Sequence, residues 1–133
     1  MKKLKNSELN RISVSEFKNT SKSPIVIILD NIRSAHNVGS IFRTCDAFLI
    51  SEIILCGITA TPPNKEIRKT ALGSTESVDW RYFDKIEEVV LNLKKEGFQI
   101  ISIEQARRKE CSSIITKFIC DLFNIGAIYI HSI

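Results

Sequence analysis

The chain has 133 residues, of which 44% are hydrophobic and 26% are charged, and its formal net charge is +4. This length and composition are typical of one globular domain. They exclude a membrane-spanning protein, because a span needs about 20 consecutive apolar residues and the apolar runs here are far shorter. The basic N-terminus is not followed by an apolar segment, which argues against a signal peptide and predicts a cytoplasmic protein.

The cysteines argue against a metal site, and the basic residues are compatible with binding to nucleic acid. Cys45 and Cys56 lie in apolar patterns, no C-x-x-C pair occurs, and the histidines are His36 and His131, so we expect buried reduced thiols and no metal site. Short basic clusters suit a polyanion such as nucleic acid, although a charged run is more often a solvated face. These clusters are Lys2, Lys3 and Lys5; Lys65, Arg68 and Lys69; and Arg107, Arg108 and Lys109.

The first predicted elements are a helix, a strand and a second helix. A short helix over 7–17 is possible, with Leu9, Ile12 and Phe17 on one side. The β-branched run over 24–29 predicts a strand buried on both faces, followed by a polar loop over 30–37. Apolar residues then recur at helical spacing and predict an amphipathic helix. Its buried stripe would consist of Val38, Ile41, Phe42, Cys45 and Phe48.

Three polar or small residues in this second helix are candidates for function. Arg43 lies on the side opposite the apolar stripe, so it points to solvent or to a ligand. Asn37 could cap the helix or contact a ligand. Gly39, in the first turn, would allow a ligand or another loop to come close.

The rest of the chain continues the alternation of strands and helices. A second strand over 53–56 ends at Gly57, and Asn64 is predicted to cap a helix over 65–72 that Gly73 ends. Residues 74–83 predict an extended segment, in which Trp80 and Tyr82 alternate with polar residues.

A fourth helix and two further strands complete the pattern. Asp84 and Glu87 have the spacing of a capping box, so they predict a helix capped by Asp84. A strand over 98–103 follows, and residues 127–130 could form another. The sequence therefore predicts an α/β fold with a mainly parallel sheet covered by helices on both faces, in which ligands bind at the carboxyl ends of the strands.

Several segments together resemble one known family. Residues 30–48 read DNIRSAHNVGSIFRTCDAF, which resembles motif one of the SpoU family in the SPOUT superfamily of RNA methyltransferases. The segments GITATPPNKEI, TALGSTE and IEQ, which begin at residues 57, 70 and 103, are also similar to that family. The resemblance covers about residues 7–105.

The resemblance implies transfer of a methyl group from S-adenosylmethionine to a ribose 2′-hydroxyl of tRNA or rRNA. It places Asn37 and Arg43 in the active site. A guanidinium is a poor proton acceptor, so we expect Arg43 to hold the adjacent phosphate and to stabilise the developing alkoxide. The alternative is a surface arginine paired with Asp46.

Further residues are candidates for contacts with RNA. His36 would either contact RNA or brace the loop. Trp80 and Tyr82 could stack on bases, although their alternation fits a half-buried strand better. The RNA-binding candidates are Arg33, His36, Ser40, Lys65, Arg68 and Lys69.

The sequence departs from the family pattern at two places. Leu49 stands where the family commonly has glycine. After Gln105 there is no recognisable G-N-E-type or S-L-N-type segment, so the binding site for S-adenosylmethionine is not recognisable and a shortened reading frame is the working hypothesis.

These departures set the expected organisation of the chain. The C-terminal segments of family members form a trefoil knot. We expect a basic extension over 1–23, the N-terminal part of a Rossmann-like SPOUT domain over 24–105, and a divergent tail over 106–133 that lacks most of this knot. Such a chain would be an impaired methyltransferase or, alternatively, a non-catalytic RNA-binding remnant. Family members form homodimers through the knot region, so dimerisation is left open here.

Overall fold

The computed structural model describes residues 12–103 and 127–131. The predictions on residues 1–11 and 104–126, which include two of the basic clusters, Cys111 and Cys120, lie outside the described residues. The described helices are α1 (Val14–Asn19), α2 (Ala35–Ala47), α3 (Lys65–Ala71), α4 (Ser74–Ser77) and α5 (Ile86–Lys95). The described strands are β1 (Ser23–Asp30), β2 (Ile50–Cys56), β3 (Trp80–Phe83), β4 (Ile100–Ile103) and β5 (Ala127–His131).

The described strands form one sheet in the order β3-β2-β1-β5-β4, and every neighbouring pair is parallel. β1 lies between β2 and β5, where Leu29 is in register with Leu55 and with Ile130. The prediction of a parallel α/β sheet is therefore confirmed. The strand predicted over 127–130 is also present, as an inner strand between β1 and β4.

The central strand is buried on both faces, as its unbroken apolar run predicts. Ile27 and Leu29 belong to one hydrophobic cluster, which includes residues of α1, α2 and α3. Val26 and Ile28 belong to the other cluster, which α5 covers. Helices thus cover both faces of the sheet. Within residues 12–103 and 127–131, no helix has the length and apolarity that crossing a membrane requires.

The first helix differs from its prediction. Ser13 caps α1, and its hydroxyl accepts a hydrogen bond from the Glu16 N–H in a capping box. Phe17 is buried in the core, but Ile12 lies before the helix and is 55% exposed, so these two residues do not share one side of a helix. The cap fixes where the helix begins and leaves Ile12 outside it.

The second helix begins three residues before the predicted position. Ser34 is its N-cap and accepts a hydrogen bond from the backbone N–H of Asn37, so the predicted loop over 30–37 ends earlier and Asn37 is not the cap. Phe48 was expected in the buried stripe, but it is 68% exposed. The reason is that α2 ends at Ala47 and Leu49 has a φ of 53°, which turns the chain away from the stripe. Leu49 thus adopts the left-handed conformation that glycine adopts most easily.

Two later predictions also need correction. Residues 74–77 form α4 rather than an extended segment, because Gly73 turns the chain at a φ of 94°. The N-cap of α5 is Lys85, not Asp84. Asp84 precedes this cap by one residue, and α5 has no side-chain hydrogen bond at its N-cap.

Other predictions are confirmed. Asn64 caps α3, since its side chain accepts hydrogen bonds from the N–H groups of Glu66 and Ile67. Cys45 and Cys56 are free, buried thiols, and burial raises the pKa of each to about 12. Such thiols are almost wholly protonated at neutral pH, so these two cysteines are structural.

Candidate nucleic-acid interface

A groove of ≈ 470 Å³ runs between α2 and α3 on the surface of the domain. Its floor depends on Gly39: a side-chain carbon at this position would lie 2.2 Å from Thr70 Oγ1 and 2.3 Å from the carbonyl oxygen of Ile67. The glycine predicted to allow a close approach therefore admits helix α3 rather than a ligand. The residues lining the groove are Ser40, Arg43, Thr44, Ala47, Phe48, Lys69, Thr70 and Leu72.

The guanidinium of Arg43 is available to a ligand. Arg43 is exposed on the face of α2 opposite the buried Val38, Phe42 and Cys45, as predicted. The alternative pairing with Asp46 is not found: Asp46 Oδ1 accepts a hydrogen bond of 2.6 Å from the Ser77 hydroxyl. The side chain of Arg43 forms no hydrogen bond or ion pair with the described residues.

The three hydroxyl groups that line the groove each donate a hydrogen bond to a backbone carbonyl group. Ser40 Oγ donates to the carbonyl oxygen of His36 (3.0 Å), and Thr44 Oγ1 donates to that of Ser40 (3.0 Å). Thr70 Oγ1 also donates to the His36 carbonyl (2.9 Å), which ties α3 to α2. A hydroxyl has one proton and two lone pairs, so in this arrangement each oxygen can still accept a hydrogen bond from a ligand.

The side chain of His36 braces α2 against α3. Its Nε2 lies 2.5 Å from Glu66 Oε2, and Lys69 Nζ donates to Glu66 Oε1 (2.6 Å). These hydrogen bonds, from Lys69 first and from His36 second, lower the pKa of Glu66. Both cations line the groove, but the charge of Lys69 is partly compensated by Glu66, whereas that of Arg43 is not compensated by any described residue.

The structure brings together only part of the predicted site. Ser40, Arg43 and Lys69 line the groove, but Arg68 lines a second cavity of ≈ 480 Å³ beside Pro62 and Pro63. The remaining candidates line neither cavity. These are Arg33, His36, Asn37 and Lys65, all exposed.

The aromatic residues on the groove also differ from those expected. Tyr82 is engaged on β3, where its hydroxyl donates to the Gly57 carbonyl oxygen (2.9 Å), and Trp80 packs partly against the core. The groove instead has Phe48 and Leu72, which are 68% and 65% exposed. Helical periodicity could not indicate Phe48, because it places this residue in the core.

At the carboxyl ends of β1 and β2, the side chains of Asn31 and Thr59 join the two strands beside Gly57; we call these three residues the carboxyl edge. Asn31 has a φ of 54°, and its side-chain oxygen accepts a hydrogen bond from the Ile58 N–H (3.2 Å). Thr59 is 3% exposed; its Oγ1 accepts from the Ile32 N–H (2.9 Å) and donates to the Leu29 carbonyl (3.0 Å). Asn31 and Thr59 lie in segments that resemble the SpoU family, but no pattern in the sequence indicates a role for either side chain.

The carboxyl edge does not fit a cofactor cradle within the described residues. The side-chain amide of Asn31 is engaged by Ile58 and by Asp30, whose Oδ1 lies 2.9 Å from Asn31 Nδ2. The hydroxyl of Thr59 is engaged by β1 and the following loop. The polar side chains of Asn31 and Thr59 are thus used within the fold. Nor does this part of the chain contain a group of three or more His, Cys, Asp or Glu residues that could hold a metal ion.

Comparison with known proteins gives relatives of greater length. Residues 24–129 match the sequence model of the SpoU rRNA Methylase family, which extends beyond the similarity identified up to residue 105. The chain is 29% identical over 90 residues to the 23S rRNA (guanosine-2′-O-)-methyltransferase RlmB of Neisseria meningitidis, covering 68% of this chain and 36% of that protein. The RlmB of Vibrio vulnificus is 24% identical over 94 residues, or 71% and 38% of the two chains. The chain thus spans little more than a third of these relatives.

Solved structures share the fold. The TrmH/SpoU tRNA modifying enzyme of A. aeolicus is 18% identical, with a TM-score of 0.67 over 90% of this chain and 59% of that one. AviRb of Streptomyces viridochromogenes, solved with AdoMet, is 17% identical, with a TM-score of 0.63 over 88% and 44%. The family match includes the strands β1 to β4, the groove and the carboxyl edge. The chain belongs to the SpoU rRNA Methylase family.

Proposed function

We propose that this chain is the methyltransferase domain of a cytoplasmic enzyme that methylates a ribose 2′-hydroxyl of tRNA or rRNA, with S-adenosylmethionine as the methyl donor. The observation that carries the proposal is the position of Arg43. An arginine without a partner among the described residues lies on a groove that contains a second cation, in a chain of the SpoU family. A guanidinium is well suited to a phosphate, which it can bind through two parallel hydrogen bonds.

In this proposal Arg43 acts on the RNA and does not remove a proton. A guanidinium stays charged at any physiological pH, so it cannot be the general base. It can hold the phosphate next to the target ribose and stabilise negative charge as it develops on the 2′-oxygen. Asn37 lies six residues earlier in α2, about 9 Å along the helix axis, so it would contact a neighbouring part of the same RNA.

S-adenosylmethionine would supply the methyl group when bound, but the described residues of the carboxyl edge use their side chains within the fold and do not by themselves form its cradle. That same observation favours a second candidate function, which is RNA binding without catalysis. In both candidates the groove binds RNA, and the two differ in whether the chain transfers a methyl group.

Methyl transfer and RNA binding should be measured on the same preparations of the full chain. Unmodified tRNA and rRNA transcripts are incubated with radiolabelled S-adenosylmethionine, and 2′-O-methylated nucleotides are identified after digestion. We expect wild-type protein to label RNA and Arg43→Ala to lower the rate by about 100-fold or more, since one charge-stabilising donor is lost. Thermal unfolding should be unchanged, because Arg43 is exposed.

A charge-matched control separates the groove from general electrostatics. Lys95→Ala removes an exposed cation from the last turn of α5 and should leave methylation unchanged. An Arg43→Ala variant as active as wild type would remove Arg43 from the mechanism. Wild-type protein that binds RNA in a salt-dependent manner but never labels it would favour the second candidate.

A further inference from the structure

The carboxyl ends of α2 and α3 place apolar side chains in solvent on one groove. Phe48 follows α2 and Leu72 follows α3, and both line the groove that Arg43 lines. Phe48 is the most exposed large hydrophobic residue of the described chain, at 68%. A phenylalanine ring in water loses the free energy that burial would supply, so an aromatic ring kept beside a cation suggests a ligand with both a flat apolar part and an anionic part.

The charged residues of the groove indicate where the anionic part of such a ligand would bind. Its lining residues include Arg43 and Lys69 and no carboxylate. Glu66 compensates Lys69 from outside the lining, which leaves Arg43 as the stronger site for an anion. The groove is therefore complementary to a phosphate group at one point rather than along its whole length.

The hydroxyl groups define the remaining polar contacts. Because Ser40 and Thr44 donate to backbone carbonyl groups of α2, their oxygens keep lone pairs that can accept hydrogen bonds from a ligand. A phosphate offers no proton to such oxygens at neutral pH. The 2′-hydroxyl of a ribose and the N–H groups of a base do.

We propose that the groove is a subsite for one unpaired nucleotide of single-stranded RNA, in which the base stacks on Phe48 and the phosphate binds Arg43. The ribose hydroxyl or the base N–H groups donate to Ser40 or Thr44. Stacking on an aromatic ring and a cation for the backbone are how proteins hold single strands without reading their sequence. The subsite rests on the proposed function only in taking RNA as the ligand; it adds a base-stacking residue that is not part of the catalytic pair.

The test compares two short single-stranded RNAs that differ at one position, where one has a base and the other is abasic. Affinities are measured by fluorescence anisotropy with the full chain, and the abasic position is moved along the RNA in turn. We expect wild-type protein to bind the intact RNA at least about fivefold more tightly than the RNA that is abasic at the critical position. Phe48→Ala should remove this difference, binding both RNAs as wild type binds the abasic one.

Two further variants separate stacking from other effects. Phe48→Trp keeps an aromatic ring and should keep the difference, whereas Phe48→Leu keeps an apolar side chain and should lose it. Leu91→Ala truncates another exposed hydrophobic residue, on α5, and should change neither affinity. Arg43→Ala should weaken binding of both RNAs alike and reduce the slope of log affinity against log salt by about 1.

The outcomes distinguish this subsite from the proposed function. If Phe48→Ala keeps the full difference between the two RNAs, the subsite is wrong, whether or not the chain methylates RNA. If the difference depends on Phe48 but no methyl transfer occurs, the subsite stands and the catalytic proposal fails. If Phe48→Ala changes only the sedimentation of the protein, the groove is a contact between copies of this chain and the subsite is wrong.

Discussion

The carboxyl edge and the groove are both polar, but they differ in whether their polar groups have partners. At the carboxyl edge, Asn31 and Thr59 use their side chains to join β1, β2 and the loops that follow. In the groove, the guanidinium of Arg43 has no partner among the described residues, and the hydroxyls of Ser40 and Thr44 have lone pairs available to a ligand. The edge is where a parallel sheet would be expected to bind its ligand, yet its polar groups are structural, while those of the groove remain available.

The largest expected effect concerns the contact beneath the groove. Gly39→Ala would place a carbon 2.3 Å from the Ile67 carbonyl oxygen, which α3 can relieve only by moving away from α2. Overpacking of this kind costs about 1–3 kcal/mol or more, and alanine restores about 1 kcal/mol of helix propensity. We expect a net loss of about 2 kcal/mol in the free energy of unfolding, measured by urea denaturation.

The neighbouring position provides the control for Gly39. Ser40→Ala places alanine one residue further along α2, on its exposed side, and should change stability by less than about 0.5 kcal/mol. Gly39→Ala protein as stable as wild type would mean that α2 and α3 are not in the close contact that forms the floor of the groove.

The next effect compares one threonine from each region. Thr59→Val removes a buried hydroxyl and leaves the Ile32 N–H without its acceptor, which should cost about 1–2 kcal/mol of stability. Thr44→Val removes an exposed hydroxyl with a contact only inside its own helix, so its cost should be within about 0.5 kcal/mol. Urea denaturation of the pair measures both.

RNA affinity should show the opposite order for the same two variants. Thr44→Val removes an acceptor from the groove and should weaken binding of single-stranded RNA, whereas folded Thr59→Val should bind as wild type does. If Thr59→Val lost affinity at full folding while Thr44→Val did not, the assignment of the edge to structure and of the groove to ligand would be reversed.

The sequence predicted the frame of the fold and part of the site. Unbroken apolar runs identified β1 and the core of β2, and helical periodicity put Arg43 on the exposed face of α2. Periodicity failed for Phe48 because it assumes that the helix continues, and α2 ends one residue earlier. A residue beyond the end of a helix no longer follows the helical stripe.

Contacts between distant segments could not be predicted in the same way. Thr59 is a single threonine in a loop, and its bonds to Leu29 and Ile32 are 30 and 27 residues away. Gly39 was identified as a point of close approach, but the sequence does not say what approaches it. In both cases the partner is set by the packing of the whole domain rather than by local pattern.

The smallest expected effect concerns the brace between α2 and α3. Hydrogen bonds from Lys69 and His36 lower the pKa of Glu66 from its ordinary value of 4.5, so the folded state favours the charged carboxylate. A lowered pKa in the folded state stabilises the protein above the pKa of the unfolded chain, and this stabilisation is lost as the pH falls through the folded value. Glu66→Gln should therefore lower the urea midpoint slightly at pH 7, and the gap to wild type should close below a pH of about 4.5.

A second substitution tests whether Lys69 is the source of this effect. In a Lys69→Gln background the effect of Glu66→Gln at pH 7 should be smaller, because the main hydrogen bond that favours the carboxylate is already absent. A gap that stayed the same from pH 7 to pH 3.5 would show that Glu66 acts through its shape and not through its charge. Glu66→Gln alone should also strengthen RNA binding slightly, because the charge of Lys69 then faces the groove without compensation. In the carboxyl edge, the side chains of Asn31 and Thr59 are bonded within the fold, so we expect no substitution there to raise RNA affinity.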